Sequence, residues 1–360
     1  MKTKVIKWDS QKGFLPDDLL VLSKAIRNGE LVAFPTETVY GLGGNGLSEQ
    51  ASHKIYEAKG RPSDNPLILH ISSMNELAPI VQEVTPAATK LAEAFWPGPL
   101  TMILPKADCV PLTTTGGLMT VAVRMPSHEA ARELIAASKV PIAAPSANTS
   151  GRPSPTRAEH VLEDMQGRIP YIIDGGEVGI GIESTIVDLT EHIPVILRPG
   201  YISKEMLEEV VGEVRLDATL LMDGTKENVH PKAPGMNYRH YAPKAQMSII
   251  EGESQDVISW INHEIDTHKE ADIGVLASEL TKKYYHGDCV LALGNQADHE
   301  SVAHDLYAAL REFDQRKVSY MYSESFANAD MGFAVMNRLT KAAGHRKIQA
   351  GHQGTHMNGD

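Results

Sequence analysis

Short apolar runs alternate with amphipathic segments along almost the whole chain, and this limits the possible folds more than any other feature. Runs at residues 4–8, 31–34, 67–71, 119–124, 142–144, 171–173, 184–189 and 195–198 read as strands. Residues 16–28, 48–59, 86–95 and 127–138 have the apolar spacing of a helix with one buried face. In the first of these the stripe is Leu19, Leu20, Leu22, Ala25 and Ile26, and Gly29 follows as a stop signal. Ser73-Met74-Asn75-Glu76 has capping-box spacing and predicts another helix start. Several strands follow one another near residues 184–198, which favours a mixed, twisted α/β sheet over a simple doubly wound one.

The period disappears between residues 212 and 244, where Pro231, Pro234, Gly235 and Pro243 fall. That stretch reads as a linker of about 30 residues, longer than most loops inside a domain. Regular alternation then returns, with strands at 246–250, 273–276, 289–293 and 318–322 and helices at 255–268, 299–313 and 331–343. This predicts a small Rossmann-like α/β domain. The polar, Gly- and His-rich tail after Lys347 is expected to fray. The expected division is 1–212, a linker over 213–245, a second domain over 246–345 and a disordered tail over 346–360.

A net charge of -12 argues against a nucleic-acid coat or a membrane-surface binder. The charge is uneven: residues 1–200 hold 18 Lys+Arg and 22 Asp+Glu, against 16 and 24 in residues 201–360. An anion site is therefore expected in the first half. Cys109 and Cys289 lie far apart with no CxxC, so neither a disulfide framework nor a cysteine zinc site is expected. The opening residues lack the apolar segment of a secretory signal, and no run nears the length of a membrane span. A cytoplasmic protein is the expectation.

The stretch Ala58-Lys59-Gly60-Arg61-Pro62-Ser63-Asp64-Asn65-Pro66-Leu67 sets two cations where a helix should end at Gly60 and a strand should begin. Fixed cations at such a corner suit a polyanion such as a triphosphate. The polar turn Pro145-Ser146-Ala147-Asn148 complements it. Arg124 and Arg198 end two other apolar strands, so the four cations are expected to converge. Gly41-Leu42-Gly43-Gly44-Asn45-Gly46 matches GxGxxG, but Pro35 to Tyr40 intervene after the strand and no ribose acid follows. It reads as a glycine turn with close backbone packing, and an NAD-dependent oxidoreductase is disfavoured. With no Gly-Lys dipeptide, a P-loop is excluded. His70 alternates with apolar neighbours, as a core histidine does.

Taken in order, Pro35-Thr36-Glu37-Thr38-Val39-Tyr40-Gly41-Leu42, Lys59-Gly60-Arg61-Pro62 with Asn65-Pro66-Leu67, Arg124-Met125-Pro126, Ala144-Pro145-Ser146-Ala147-Asn148, Glu183-Ser184-Thr185-Ile186-Val187-Asp188 and Leu197-Arg198-Pro199-Gly200 resemble the YrdC-type threonylcarbamoyl-AMP synthases. The likeness spans roughly residues 14–210. Pro234-Gly235-Met236 and His240-Tyr241-Ala242-Pro243, with the regular domain behind them, resemble the longer two-domain members.

The resemblance implies a YrdC-like first domain with a concave basic face and a reaction joining L-threonine, bicarbonate and ATP. The product would be threonylcarbamoyl-AMP, with pyrophosphate released, for transfer by a partner complex to a tRNA adenosine beside the anticodon. It places Lys59, Arg61, Asn65, Ser146, Asn148 and Arg198 on the nucleotide side, with Lys59 and Arg61 catalytic. Thr36, His70, Arg124 and Ser184 fall on the threonine side, Arg124 as partner of its carboxylate. Thr120 and Ser154 would line the nucleotide side of the cleft, and Ala144 the threonine side. The proline-rich linker, with its Tyr238-Arg239-His240-Tyr241 cluster, reads either as a lid that brings Tyr241 to the nucleotide or as a plain tether. Mg2+ would ride on the ATP phosphates. No protein metal cage and no stable nucleic-acid binding are expected. An RNA-binding module with a basic concave face is the alternative.

Overall fold

The computed structural model describes residues 1–220, 233, 241–294, 298–326 and 331–351. The chain divides into two units, Met1–His240 and Tyr241–Asp360.

An eleven-stranded mixed sheet forms the first unit. Its strands run, edge to edge, Lys4–Lys7, Tyr171–Asp174, Val32–Phe34, Gly41–Asn45, Ile142–Ala143, Ile68–His70, Thr120–Arg124, Leu100–Pro105, Thr185–Asp188, Val195–Arg198 and Arg215–Leu216. Side chains alternate between the two faces of a strand, and here the alternation sorts the core. Leu67, Leu69, Val121, Val123, Met102, Leu104 and Val187 point to one face and join the largest apolar cluster. Helices Glu49–Lys59, Pro86–Phe95, Ala158–Met165 and Lys204–Val211 close that face with Ile55, Leu91, Val161 and Leu207.

The opposite face is covered unevenly. Helices Pro16–Arg27 and Glu129–Ser138 pack on one half of it, setting Leu22, Ile26, Leu134 and Ile135 against Val32, Phe34, Ile142 and Ile173. On the other half Ile68, Ile103, Ala122, Ile186 and Leu197 form a separate small cluster. Its only buried member from outside the strands, among the described residues, is Ala233. Among the described residues no helix packs on this half, and it carries the polar row described below.

Capping residues set the ends of the helix before the cation corner. Ser48 caps its start by accepting from the Ala51 N–H, and Gly60 ends it in the left-handed region at φ 62°. A residue with a side chain is strained there, so glycine makes the corner.

Several sequence expectations are corrected. Residues 41–45 are a strand, not a turn; the close packing is real, since a Cβ at Gly46 would lie 2.3 Å from Leu69 Cδ2. No helix opens at Ser73. Two 3-10 turns, Met74–Glu76 and Ala78–Ile80, stand there, because Glu76 is spent on Ser72 and Pro79 cannot continue a helix. Strand Leu100–Pro105 and helices Ala158–Met165 and Lys204–Val211 were not signalled. The sheet continues past residue 212, with Arg215–Leu216 pairing parallel to Val195–Arg198.

The second unit is a five-stranded parallel sheet in the order Cys289–Ala292, Ile273–Ala277, Tyr320–Glu324, Gln246–Glu251, Lys347–Gln349. Helices Ser254–Thr267, His299–Arg316 and Met331–Ala342 alternate with the strands. The layering is Rossmann-like, but the strand order in chain numbering is 3-2-4-1-5, not the 3-2-1-4-5 start of the dinucleotide fold. The expected fraying after Lys347 is corrected in part, because Lys347–Gln349 adds an edge strand. Residues 352–360 and the lid assigned to most of the linker lie outside the described residues.

Candidate functional site

The cation corner is tied down from both sides. Lys59 is 3% exposed, and its Nζ donates to the carbonyl oxygens of Ser146, at 2.5 Å, and of Asn148. The Lys59 carbonyl in turn accepts from the Ser150 N–H at 2.8 Å. Arg61 is half-buried; its Nη2 donates to Asn65 Oδ1 at 2.5 Å and to Pro66 O at 3.2 Å. The Tyr56 hydroxyl ties the same turn to the segment beside it, with Asn65 O at 3.3 Å and Thr113 O at 3.0 Å as acceptors. Burial pushes that phenol up to about 12, so it remains a donor.

The polar turn after Ile142–Ala143 is internally knitted. Ser146 Oγ donates to Asn148 Oδ1 at 2.5 Å, and Asn148 Nδ2 donates to Thr149 O and Arg152 O at 2.8 and 2.9 Å. Ser154, fully buried, donates to Glu183 Oε1 at 2.5 Å.

A second set lies in register across the other half of the sheet, beside the small cluster of Ile68 and Ala122. His70 pairs with Arg124, Arg124 with Thr101, and Thr101 with Ile186. Laterally paired residues share a face, so these side chains form a row. Thr101 and Ser184 hydroxyls meet at 2.8 Å, and Arg198 donates to Ser184 through Nε to the carbonyl (3.0 Å) and Nη2 to the hydroxyl (3.1 Å). Arg124 Nε donates to Gly98 O at 3.3 Å and Nη1 to Thr38 Oγ1 at 2.8 Å. Thr36 Oγ1 lies 2.9 Å from Thr38 Oγ1 and accepts from the Thr38 and Val39 N–H groups.

His70 is buried beside this row, with Nδ1 3.1 Å from Ile68 O. A carbonyl only accepts, so Nδ1 carries the ring proton and Nε2 is an acceptor. Burial first, and the Arg124 charge second, lower its pKa to about 3.

The structure thus draws the expected residues into two connected groups. Lys59, Arg61, Asn65, Ser146 and Asn148 form one; Thr36, Arg124, Ser184 and Arg198 join the row of His70 in the other. Ala144 lies between them, its N–H donating to Ile68 O at 2.9 Å. Ser154 reaches the second group through Glu183, the chain neighbour of Ser184. Thr120 is half-buried at the start of the Arg124 strand. Tyr241 belongs to the second unit, where its ring stacks on Tyr307 at 5.3 Å and is 6% exposed.

Sequence reasoning passed over Thr101, Asp164 and Glu183 as site residues. Thr101 and Asp164 lie on elements that were not signalled, and Glu183 stood within a quoted motif. Glu37 and Thr38 also stood within a quoted motif without a role. Among the described residues no group of three or more His, Cys, Asp or Glu is placed to hold a metal. Nor is any helix there long and apolar enough to cross a membrane.

Buried cations fixed by carbonyls and hydroxyls beside a mixed α/β sheet define the class of site, one whose charges suit anions. Residues 24–200 match the Sua5, YciO and YrdC family, described as "Telomere recombination". Residues 202–344 match the family described as "Threonylcarbamoyl-AMP synthase, C-terminal domain". The threonylcarbamoyl-AMP synthase of Pyrococcus abyssi is 51% identical over 326 residues, covering 90% of this chain and 93% of the relative. That of Bacillus subtilis is 49% identical, covering 90% and 92%. The crystal structure of P. abyssi Sua5 complexed with L-threonine superposes with a TM-score of 0.90 at 48% identity, covering 97% of this chain and all of that one. The chain belongs to the Sua5/YrdC family of threonylcarbamoyl-AMP synthases.

Proposed function

We propose that this enzyme joins L-threonine, bicarbonate or CO2 and ATP into L-threonylcarbamoyl-AMP, releasing pyrophosphate. The observation that carries the reading is the burial of Lys59, Arg124 and Arg198, at 3%, 4% and 5% exposed, each held by oriented acceptors. Cations fixed this way are preorganised for anions, and desolvation strengthens their pull.

The threonine amine first takes up CO2 as a carbamate. A carbamate oxygen then attacks the α-phosphorus in line, and pyrophosphate leaves. Both reactants are anionic and repel by about 4 kcal/mol at 4 Å in a surface-like dielectric. Lys59 and Arg61 offset that repulsion on the triphosphate side, with Asn65, Ser146, Asn148, Ser154, Thr120 and Arg198 positioning the nucleotide. Arg124, Thr36, Ser184 and Ala144 line the threonine side. His70 lies on that side and, with its lowered pKa, is too weak a base to deprotonate the ammonium. Positioning and electrostatics carry the reaction, as in other phosphoryl-type transfers.

Mg2+ would accompany ATP as the counter-ion of its triphosphate and would supply charge neutralisation for the pyrophosphate. The carboxylates at hand suit this arrangement better than a protein cage, since Glu37 faces Arg124 and Glu183 accepts from Ser154. The product is a mixed anhydride that a tRNA-modifying partner complex would consume at the adenosine beside the anticodon.

The test is incubation with ATP, labelled bicarbonate and each amino acid in turn. Label recovered in an adenylate only with threonine supports the reading; label fixed with no amino-acid preference overturns it.

A further inference from the structure

The turn that holds Lys59 is itself held from behind. Asp164 sits on helix Ala158–Met165 with its side chain fully buried. Its Oδ2 accepts from the Thr149 N–H at 3.1 Å, and its Oδ1 pairs with Arg152 Nη1. The carbonyls of Thr149 and Arg152 both accept from Asn148 Nδ2. Asn148 Oδ1 takes the Ser146 hydroxyl, and the Ser146 and Asn148 carbonyls take the Lys59 ammonium. One carboxylate thus fixes both residues whose carbonyls orient Asn148, and through Asn148 it fixes the turn that aims Lys59.

We infer that Asp164 is a positioning residue for the nucleotide side of the reaction, acting through the turn 146–152 without touching ATP. A polar turn in a loop would ordinarily be among the more mobile parts of a fold. A buried charge pair at its far end restricts it, and removing one partner leaves the other charge uncompensated. The threonine side has separate supports in Thr38, Gly98 and Thr101, none of which runs through Asp164. The effect should therefore fall on one substrate.

This inference rests on the ATP reading above, and the experiment separates the two. KM for ATP and for threonine are measured by pyrophosphate release in wild type, Asp164→Asn and Arg152→Ala. The expected result for Asp164→Asn is a rise in KM for ATP of roughly ten-fold, with KM for threonine within two-fold of wild type. Arg152→Ala removes the partly exposed partner, with its side chain 26% exposed, and should give the same split at smaller size. It decides the matter if Asp164→Asn does not fold. Equal rises in both constants, or a lower melting temperature with neither constant moved, would show a purely structural role and overturn the inference. A wild type inert with threonine defeats the functional reading, and this inference with it. An active wild type with unsplit variants defeats this inference alone.

Discussion

Arg124 Nη2 stands 2.7 Å from Glu37 Oε1, with the side chains 4% and 14% exposed, yet neither atom has a hydrogen-bond partner. The two charges attract without good donor geometry. The other edges of the guanidinium are spent on Thr38 and Gly98. Glu37 holds the arginine in place while leaving one nitrogen incompletely used, and a substrate carboxylate can exploit that. Lysine has one charged nitrogen and cannot make these contacts together. Arg124→Lys should raise KM for threonine by roughly ten-fold or more and leave KM for ATP nearly unchanged. Glu37→Gln leaves the arginine charge uncompensated and should lower stability by about 3 kcal/mol, the low end for a broken buried pair. Denaturant unfolding reads this directly.

Lys59→Ala and Arg61→Ala should each cut pyrophosphate release by about 100-fold or more, the scale for losing one preorganised donor. The fold should survive both. Lys59→Ala orphans two carbonyls and should cost about 1–3 kcal/mol. Arg61 is half-buried on a turn, and its loss should cost less. Circular dichroism spectra like wild type, with turnover lost, are the expected pair of results.

His70 carries a pH prediction. Its folded pKa is about 3, against 6.5 in the unfolded chain. Above pH 6.5 both states hold a neutral ring, and the contribution to stability is fully present. As pH falls from 6.5 toward 3, the unfolded state gains a proton that the folded state refuses, and stability is lost. The slope approaches about 1.4 kcal/mol per pH unit for one such group. His70→Gln should flatten stability against pH between 6 and 4. The wild-type rate profile should show no titration near 6.5 assignable to His70.

Gly200 tests how closely the Arg198 turn is packed. A Cβ there would lie 2.4 Å from Thr185 N and 2.8 Å from Glu183 O, both main-chain atoms beside Ser184. Gly200→Ala should destabilise by about 1–3 kcal/mol and reduce turnover, because Ser184 and Arg198 must shift. Gly179→Ala meets nothing within 4 Å and should stay within about 0.5 kcal/mol of wild type.

Much of this architecture was legible before any coordinates. The cation corner followed from Lys59-Gly60-Arg61, because glycine in the left-handed region has few substitutes at a helix end. The strand carrying Arg124 and the one carrying Arg198 were readable as apolar runs. What stayed hidden had physical reasons. Leu100–Pro105 is buried on both faces and lacks alternation, and it follows a Trp-Pro-Gly-Pro stretch that reads as a break. Helix Ala158–Met165 spans 8 residues and starts at Arg157 without a side-chain cap, so its start carried no signal, and Asp164 was lost with it. Lys347–Gln349 is a largely exposed edge strand, and its polar sequence looks like a tail. Glu37 could have been found: it is the one acid of the stretch Pro35 to Leu42, but its partner Arg124 lies 87 residues on and only the fold brings them together.

On the proposed reading, this cluster of buried cations presses a threonine-derived carbamate against the α-phosphorus of ATP. Exchange of labelled pyrophosphate into ATP reads that step without any downstream partner. Exchange should require threonine and bicarbonate together and disappear in Lys59→Ala. Exchange that proceeds without threonine, or ATP cleaved to ADP with no exchange at all, would contradict it.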